Sequence, residues 1–599
     1  MTYTPTAARS GIPPLVCLGL LVLALLSYFQ FPGHAYLDSD TQIYVPMFER
    51  LRDPALLERD PMVTRPHMAF TLYDELTLAW SRLTGLDFQV VLGLLHVLVR
   101  LSLLAGIFLL TRAMGLSDSL ALACAGIYAL GGRVLGPSVL LVEYEPVPRA
   151  FALGPAVLAA GLAAQGSFRA AGVAGATGFL LHATTVAPFW ALYCLLLFVP
   201  DRPEEMKRRL WGLVPLAAAA VVLKLAAAGQ PGVSERQAML SIIDEAWEKL
   251  IRLRASYVYV SLWPAISYWQ YGVMAAASLG AYCRLRRFLQ PPARFFLAGL
   301  PALGILSLPA SYLLLEKLKW AMLPQWQPLR GILFLQLFTL LAALVMAFEL
   351  ACKEKRFLAA GFWAALGLAA GHEPRLLFFL APAALGWLSR SWPRWVGLGI
   401  TLATAAAQPF GLELWRGSLR SALLVSLVLA ALLVAAATLS VRRPAAGASA
   451  ITAVTAAAFF LVPGGIRFHW SGQKPNPELA VLCQWARAET NVNAVFLFAD
   501  SGRALEPGVF RARAARALYV DWKSGGQINF FPGFARLWWS RWQQTMEGPF
   551  QSHRLAGWRE AGIDYLVLST KNRLADRKPV FENEKFLAYA MSEPQPSAR

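Results

Sequence analysis

The sequence predicts a polytopic α-helical membrane protein with a small α/β domain at its C-terminal end. Two bulk properties and one pattern lead there. Hydrophobic residues make up 57% of the 599-residue chain and charged residues only 15%, with a mean hydropathy of +0.48, whereas soluble domains are roughly half apolar and a quarter charged. The pattern is a series of about fifteen apolar runs, each near or somewhat short of the length that crosses a bilayer. Single-pass receptors and most soluble classes are excluded. The net charge of +19 would suit nucleic acid, but cytoplasmic loops of polytopic chains collect Lys and Arg anyway. The expected partner is the lipid bilayer, with no nucleic acid.

The first apolar run, 12–31, follows Arg9 and exceeds a signal-peptide core, so it reads as an uncleaved first helix. A polar stretch follows at 32–66, then an amphipathic segment at 67–84 with Asp74, Glu75 and Arg82, suited to the membrane interface. Further runs lie at 88–111, 118–133, 149–166, 170–182, 184–200, 210–228, 256–281, 297–314, 330–350, 357–371, 376–389, 395–410, 421–440 and 448–464. With the N-terminus inside, alternation puts DRPEEMKRR (201–209), RLRR (284–287), KEKR (353–356), RSWPR (390–394) and Arg442-Arg443 on the cytoplasmic side. It puts the first loop, EYEPVPR (143–149), the 229–255 and 315–329 loops, HEPR (372–375) and the tail outside.

Composition changes near residue 469, which divides the chain into a membrane domain, 1–468, and an extracytoplasmic domain, 469–599. The tail has a helical pattern at ELAVLCQWARA and short β-type runs at NAVFLFAD, ALYVDW and DYLVL. Its Trp538, Trp539 and Trp542 fit packing within the domain better than stacking on sugar rings. With only Cys483 in the polar tail, no disulfide framework forms there. No CxxC, HExxH, P-loop or GxGxxG signature occurs, and His372-Glu373 lacks the second histidine of a helical zinc site.

Charged groups are costly beside a membrane, so an external cluster at a helix end is a site hypothesis. The clearest is Tyr36-Leu37-Asp38-Ser39-Asp40-Thr41 after the first helix, continuing to Arg59-Asp60-Pro61. Asp38 and Asp40 are close enough to share a cation or to act as base and hydrogen-bond acceptor; equally, Asp38 or Ser39 could cap the next helix. Asp60 is a second acid or a turn element. Arg149, Arg330 and Arg375 each sit at the outer end of a predicted helix, where guanidinium can hold phosphate or snorkel to headgroups. His182, in FLLHATTV, and Gln325, in the 315–329 loop, are candidate substrate contacts, with packing the alternative for the histidine.

An acidic motif after the first helix, a second acidic-Pro element, many helices and an external α/β tail resemble the GT-C superfamily of polyprenyl-phosphate-sugar-dependent glycosyltransferases. More closely they resemble a bacterial group of GT-C-like membrane proteins whose tails carry a pattern like FRARAARALYVDWKS (510–524). The tally of apolar runs gives about 13 to 15 transmembrane helices, and the resemblance implies a catalytic aspartate in the first external loop, a description both Asp38 and Asp40 meet. It implies transfer of a sugar from a polyprenyl-phosphate donor to a glycan, lipid or protein acceptor at the outer face of the bacterial inner membrane. A divalent cation, Mg or Mn, would fall to Asp38 and Asp40. The alternatives are a non-catalytic scaffold, a lipid-linked-sugar transporter, or a ligase relying on the arginines and His182. Transport is disfavoured, since only Arg100 and Lys224 lie inside apolar runs and no matched halves appear.

Overall fold

A computed structural model of the chain describes residues 12–30, 34–67, 71–199, 202–229, 238–387, 418–462 and 476–591. The apolar run expected at 395–410, the RSWPR cluster and the boundary near 468 lie outside the described residues. Among the described residues, seven helical stretches are long and apolar enough to cross a membrane, and five shorter apolar helices accompany them. The protein is a polytopic membrane protein.

One long stretch, Phe168–Leu196, folds back on itself. Its backbone is extended at His182 (φ −165°, ψ 91°). A straight helix would separate Phe168 from Tyr193 by roughly 37 Å, yet their ring centroids are 6.2 Å apart and Trp190 Nε1 donates to Gly175 O at 3.2 Å. The expected runs 170–182 and 184–200 are thus the two arms of an antiparallel hairpin, with His182 at its tip.

The helix Ile332–Cys352 is apolar on every side and accordingly lies in the interior. It packs against Phe357–His372, Pro291–Ser311 and Ala265–Leu285. Its buried amide, Gln336, donates to Ala370 O at 2.8 Å and Arg133 O at 3.1 Å. Phe88–Ala113 and Pro148–Ala164 approach closely because Gly106 presents no Cβ: one placed there would lie 2.5 Å from the Val157 carbonyl carbon. The first helix, Pro14–Leu26, rests on Phe88–Ala113 and Asp118–Ala129. The amphipathic segment forms the helix Tyr73–Thr84, which buries Tyr73 and Asp74 and exposes Trp80 and Leu83.

The tail is a five-stranded sheet with helices. Val495–Phe498 runs parallel to Ala517–Leu518 on one side and Tyr565–Ser569 on the other; Phe586–Ala590 and Phe581–Glu582 add antiparallel strands at one edge. The parallel strands lie within the three β-type runs of the sequence. The sheet docks on the first loop and on the helix Glu245–Arg254: Trp247 Nε1 donates to Ile528 O at 2.7 Å, and Arg59 Nη1 pairs with Asp564 at 2.8 Å. Trp538 and Trp542 pack with Trp522 beneath the loop after the second strand. Trp538 Nε1 also donates to Asp521 O at 2.9 Å.

Candidate functional site

The helix Thr41–Arg52 begins directly after Asp40, but the Asp40 side chain makes no capping hydrogen bond. Glu145, from the loop before Pro148–Ala164, caps it instead. Its carboxylate accepts from Ser39 N and Asp40 N, both at 2.6 Å, and from Thr41 Oγ1 at 2.7 Å, using the free N–H groups at a helix start. The Glu145 loop is held from behind, where Arg100 Nη2 and His96 contact Glu143 O at 3.0 and 3.1 Å. The capping role open to Asp38 or Ser39 is thereby filled by a residue more than one hundred positions away.

Released from capping, the Asp40 carboxylate meets two cations. Arg149 Nη1 reaches Oδ2 at 2.6 Å, and Lys523 Nζ reaches Oδ1 at 2.7 Å while also donating to Ser39 Oγ at 2.8 Å. Burial disfavours the charged carboxylate, but Lys523 and Arg149 outweigh it and hold Asp40 well below the usual carboxyl range. Arg149 is shared with Glu143, at 2.9 Å through Nε. Asp38 differs: burial raises its carboxyl, with Lys523 and Tyr144 opposing.

Lys523 reaches Asp40 through a buried ion chain. Asp60 Oδ2 accepts from Arg511 Nε at 2.7 Å and from Leu518 N at 3.0 Å. Arg511 also pairs with Asp521 through Nη2, and Asp521 Oδ2 accepts from Lys523 N at 3.1 Å. Asp60, Arg511 and Asp521 are each only 1% exposed, so first loop and tail share an ionic core. Asp60 is therefore tied into this latch rather than open to a substrate.

Asp40 lines a cavity of about 960 Å³ between the membrane helices and the tail. Six basic side chains, Arg133, Arg149, Lys224, Arg254, Arg330 and Lys523, face it against the carboxylates of Asp40 and Glu143. Arg330 makes no ion pair among the described residues, and its Nε is buried without a hydrogen-bond partner. Arg330 and Arg149 also border a second, apolar cavity of about 340 Å³ lined by Leu153, Pro188, Leu303, Leu306 and Phe334. The polar chamber and the apolar gallery share a wall built from these two arginines with Glu143, Thr184 and Gln327.

The remaining sequence candidates divide. His182 lines the chamber, its Nδ1 in hydrogen-bond contact with the Thr185 and Thr184 hydroxyls at 2.8 and 3.0 Å. Gln325 lines it too and donates to Phe530 O at 3.2 Å. Arg375 borders neither cavity and pairs with Glu373 through Nε at 2.8 Å and Nη2 at 3.0 Å. Lys523 and His67 also line the chamber. Lys523 stands in the 510–524 pattern just after the β-type run ALYVDW, and nothing in the sequence around His67 marks it. His67 stacks on Phe530 with centroids 4.5 Å apart, and its Nδ1 is buried without a partner among the described residues. A divalent cation does not fit: both Asp40 oxygens already accept from cations, and among the described residues no three His, Cys, Asp or Glu side chains gather.

Fold and site together define a multi-pass membrane protein with a cation-lined chamber closed by its C-terminal domain. In fold the chain is similar to solved GT-C glycosyltransferases. ArnT from Cupriavidus metallidurans bound to undecaprenyl phosphate aligns over 97% of this chain and 99% of its own, at 14% identity and a TM-score of 0.45. The arabinofuranosyltransferase AftD from Mycobacteria aligns over 93% of this chain and 36% of its own, at 17% identity and a TM-score of 0.41. The Archaeoglobus fulgidus oligosaccharyltransferase aligns over 92% and 68%, at 13% identity and a TM-score of 0.37. No protein-family model and no curated protein matches the chain.

Proposed function

We propose that the protein is an integral-membrane glycosyltransferase that moves a sugar from a polyprenyl-phosphate donor to an acceptor at the outer face of a bacterial inner membrane, with the C-terminal domain on that side. The carrying observation is the shared wall. An anionic headgroup fits the basic chamber, a polyprenyl tail fits the apolar gallery, and Arg330, with no ion pair among the described residues, stands where the two meet.

In this reading Asp40 is the catalytic base. It takes the proton of an acceptor hydroxyl as the acceptor oxygen bonds to the anomeric carbon; the carbon–oxygen bond to phosphate breaks, and its electron pair leaves with the phosphate. Arg330 stabilises the departing charge, and Arg149 orients Asp40. Asp38 is not among the residues lining the chamber, which favours Asp40 of the pair. His182, His67 and Gln325 are the nearby polar groups available to a sugar.

The test is transfer from lipid-linked sugars by purified Asp40→Asn protein, with Asp38→Asn in parallel. Asp40→Asn should stay folded and lose transfer; full activity would sink the assignment.

A further inference from the structure

A carboxylate held by two cations is a weak base, since catalysis favours a group whose pKa lies near the working pH. Asp40 is in that state, and its two cations are held differently. Arg149 is fixed on both sides, by Asp40 and by Glu143. Lys523 is anchored at its backbone through Asp521, while its ammonium ends a flexible stem and faces the same chamber as Arg330.

We propose that Lys523 is a positioning residue that the tail lends to the membrane site: it holds Asp40 idle when the chamber is empty, and a phosphate monoester or diester draws its ammonium away, releasing Asp40. The Asp60–Arg511–Asp521 chain is the device that keeps Lys523 within reach of both. Base activation is thereby coupled to phosphate occupancy, so Asp40 gains its basicity when a phosphate stands in the chamber. The surrounding charges allow this exchange. Arg149 remains on Asp40 from its own helix, Glu145 caps the helix start, and Glu143 balances Arg149. Arg254 from Glu245–Arg254 and Arg330 add positive charge, Asp38 and Tyr144 lie on the loop side, and His67 faces Asp40 across the chamber. A phosphate in the chamber therefore faces Arg330, which has no ion pair among the described residues, and competes with Asp40 for Lys523.

The functional meaning rests on Asp40 as base, but the test does not use transfer. A hydrophobic carbodiimide modifies only protonated carboxyls, so the pH midpoint of Asp40 labelling, read by peptide mass spectrometry on the full chain in detergent, reports its ionisation. The probes are inorganic phosphate and a sugar-free polyprenyl phosphate. In the wild type, either should raise the midpoint by about 1 to 3 pH units, the size of a lost contact with an opposite charge. Lys523→Met should show the raised midpoint with no probe and no further response, and Lys523→Arg should retain the wild-type response. A wild-type midpoint that neither probe moves overturns the exchange. So does a Lys523→Met midpoint that responds as fully as the wild type, because phosphate would then act on Asp40 directly. A midpoint moved by inorganic phosphate alone keeps the exchange and removes the lipid donor.

Discussion

The ammonium of Lys523 lies 2.7 Å from Asp40 Oδ1, joining residues 483 positions apart in the chain. Neither residue is where it is by local propensity. Asp40 faces the chamber because Glu145 caps the helix in its place, and Lys523 arrives there because Asp60 and Asp521 clamp Arg511 between loop and tail.

Arg330→Gln removes the arginine at the shared wall. A charged hydrogen bond is worth about 1.5 to 3 kcal/mol, so the KM for a lipid-linked donor should rise about 10- to 150-fold. Arg375→Gln, outside both cavities, should change KM by less than about twofold. Steady-state kinetics on the two variants checks both, and an unchanged KM in Arg330→Gln would move the phosphate elsewhere.

Arg511→Met leaves Asp60 and Asp521 buried without their cation. Breaking one partner out of a buried ion set costs about 3 to 5 kcal/mol. Thermal unfolding in detergent should show a large drop, accompanied by easier proteolytic release of the tail. A variant as stable as the wild type would mean the latch is not holding the domains.

The loop carrying Lys523 ends in two glycines with different surroundings. A Cβ at Gly525 would lie 2.7 Å from the Trp538 ring and 3.2 Å from Arg254 Nε, whereas one at Gly526 meets only the Ile43 Cδ1 methyl at 2.9 Å. A buried indole cannot yield as a methyl terminus can. Gly525→Ala should therefore lower transfer and melting temperature, and Gly526→Ala should be close to neutral; the reverse order in a paired measurement would refute the packing argument.

Burial pushes the His67 imidazole down to about 4, with Asp40 pulling weakly upward. The unfolded value is near 6.5, so between about pH 6.5 and 4 the unfolded chain binds more protons than the folded one. Its contribution is complete above that window and is lost as pH falls through it. His34, also lowered to about 4 by burial and Arg100, adds in the same direction. His67→Gln should shrink the drop in melting temperature between pH 7 and pH 4.5, and identical drops in both proteins would remove His67 as a contributor.

The helices were readable because lipid demands long apolar runs, and even the break at His182 appeared as a gap between two of them. The strands at NAVFLFAD, ALYVDW and DYLVL were readable from β-type composition. Pairing was not. Asp40, Arg149 and Arg330 were visible as charges at helix ends, but whether each meets a partner depends on side chains distant in sequence. Glu143 occupies Arg149, Glu373 occupies Arg375, and Arg330 has no such neighbour. Asp60 does act as a turn element, accepting from Met62 N at 3.0 Å, but its ion partner, Arg511, lies 451 positions downstream and left no local trace. Lys523 was hidden for the same reason, inside a segment whose pattern was noticed without its geometry.

The separation of Asp40 from Lys523 along the chain also orders events during synthesis. Asp40 leaves the ribosome early, beside the first helix, and the cation that completes its surroundings is made 483 positions later. A chain interrupted between Phe334 and Lys523 contains the whole apolar gallery and Arg330 but leaves Asp40 with Arg149 alone. The order of translation therefore sets when the site is completed: Asp40 gains its second cation only after synthesis has passed Lys523.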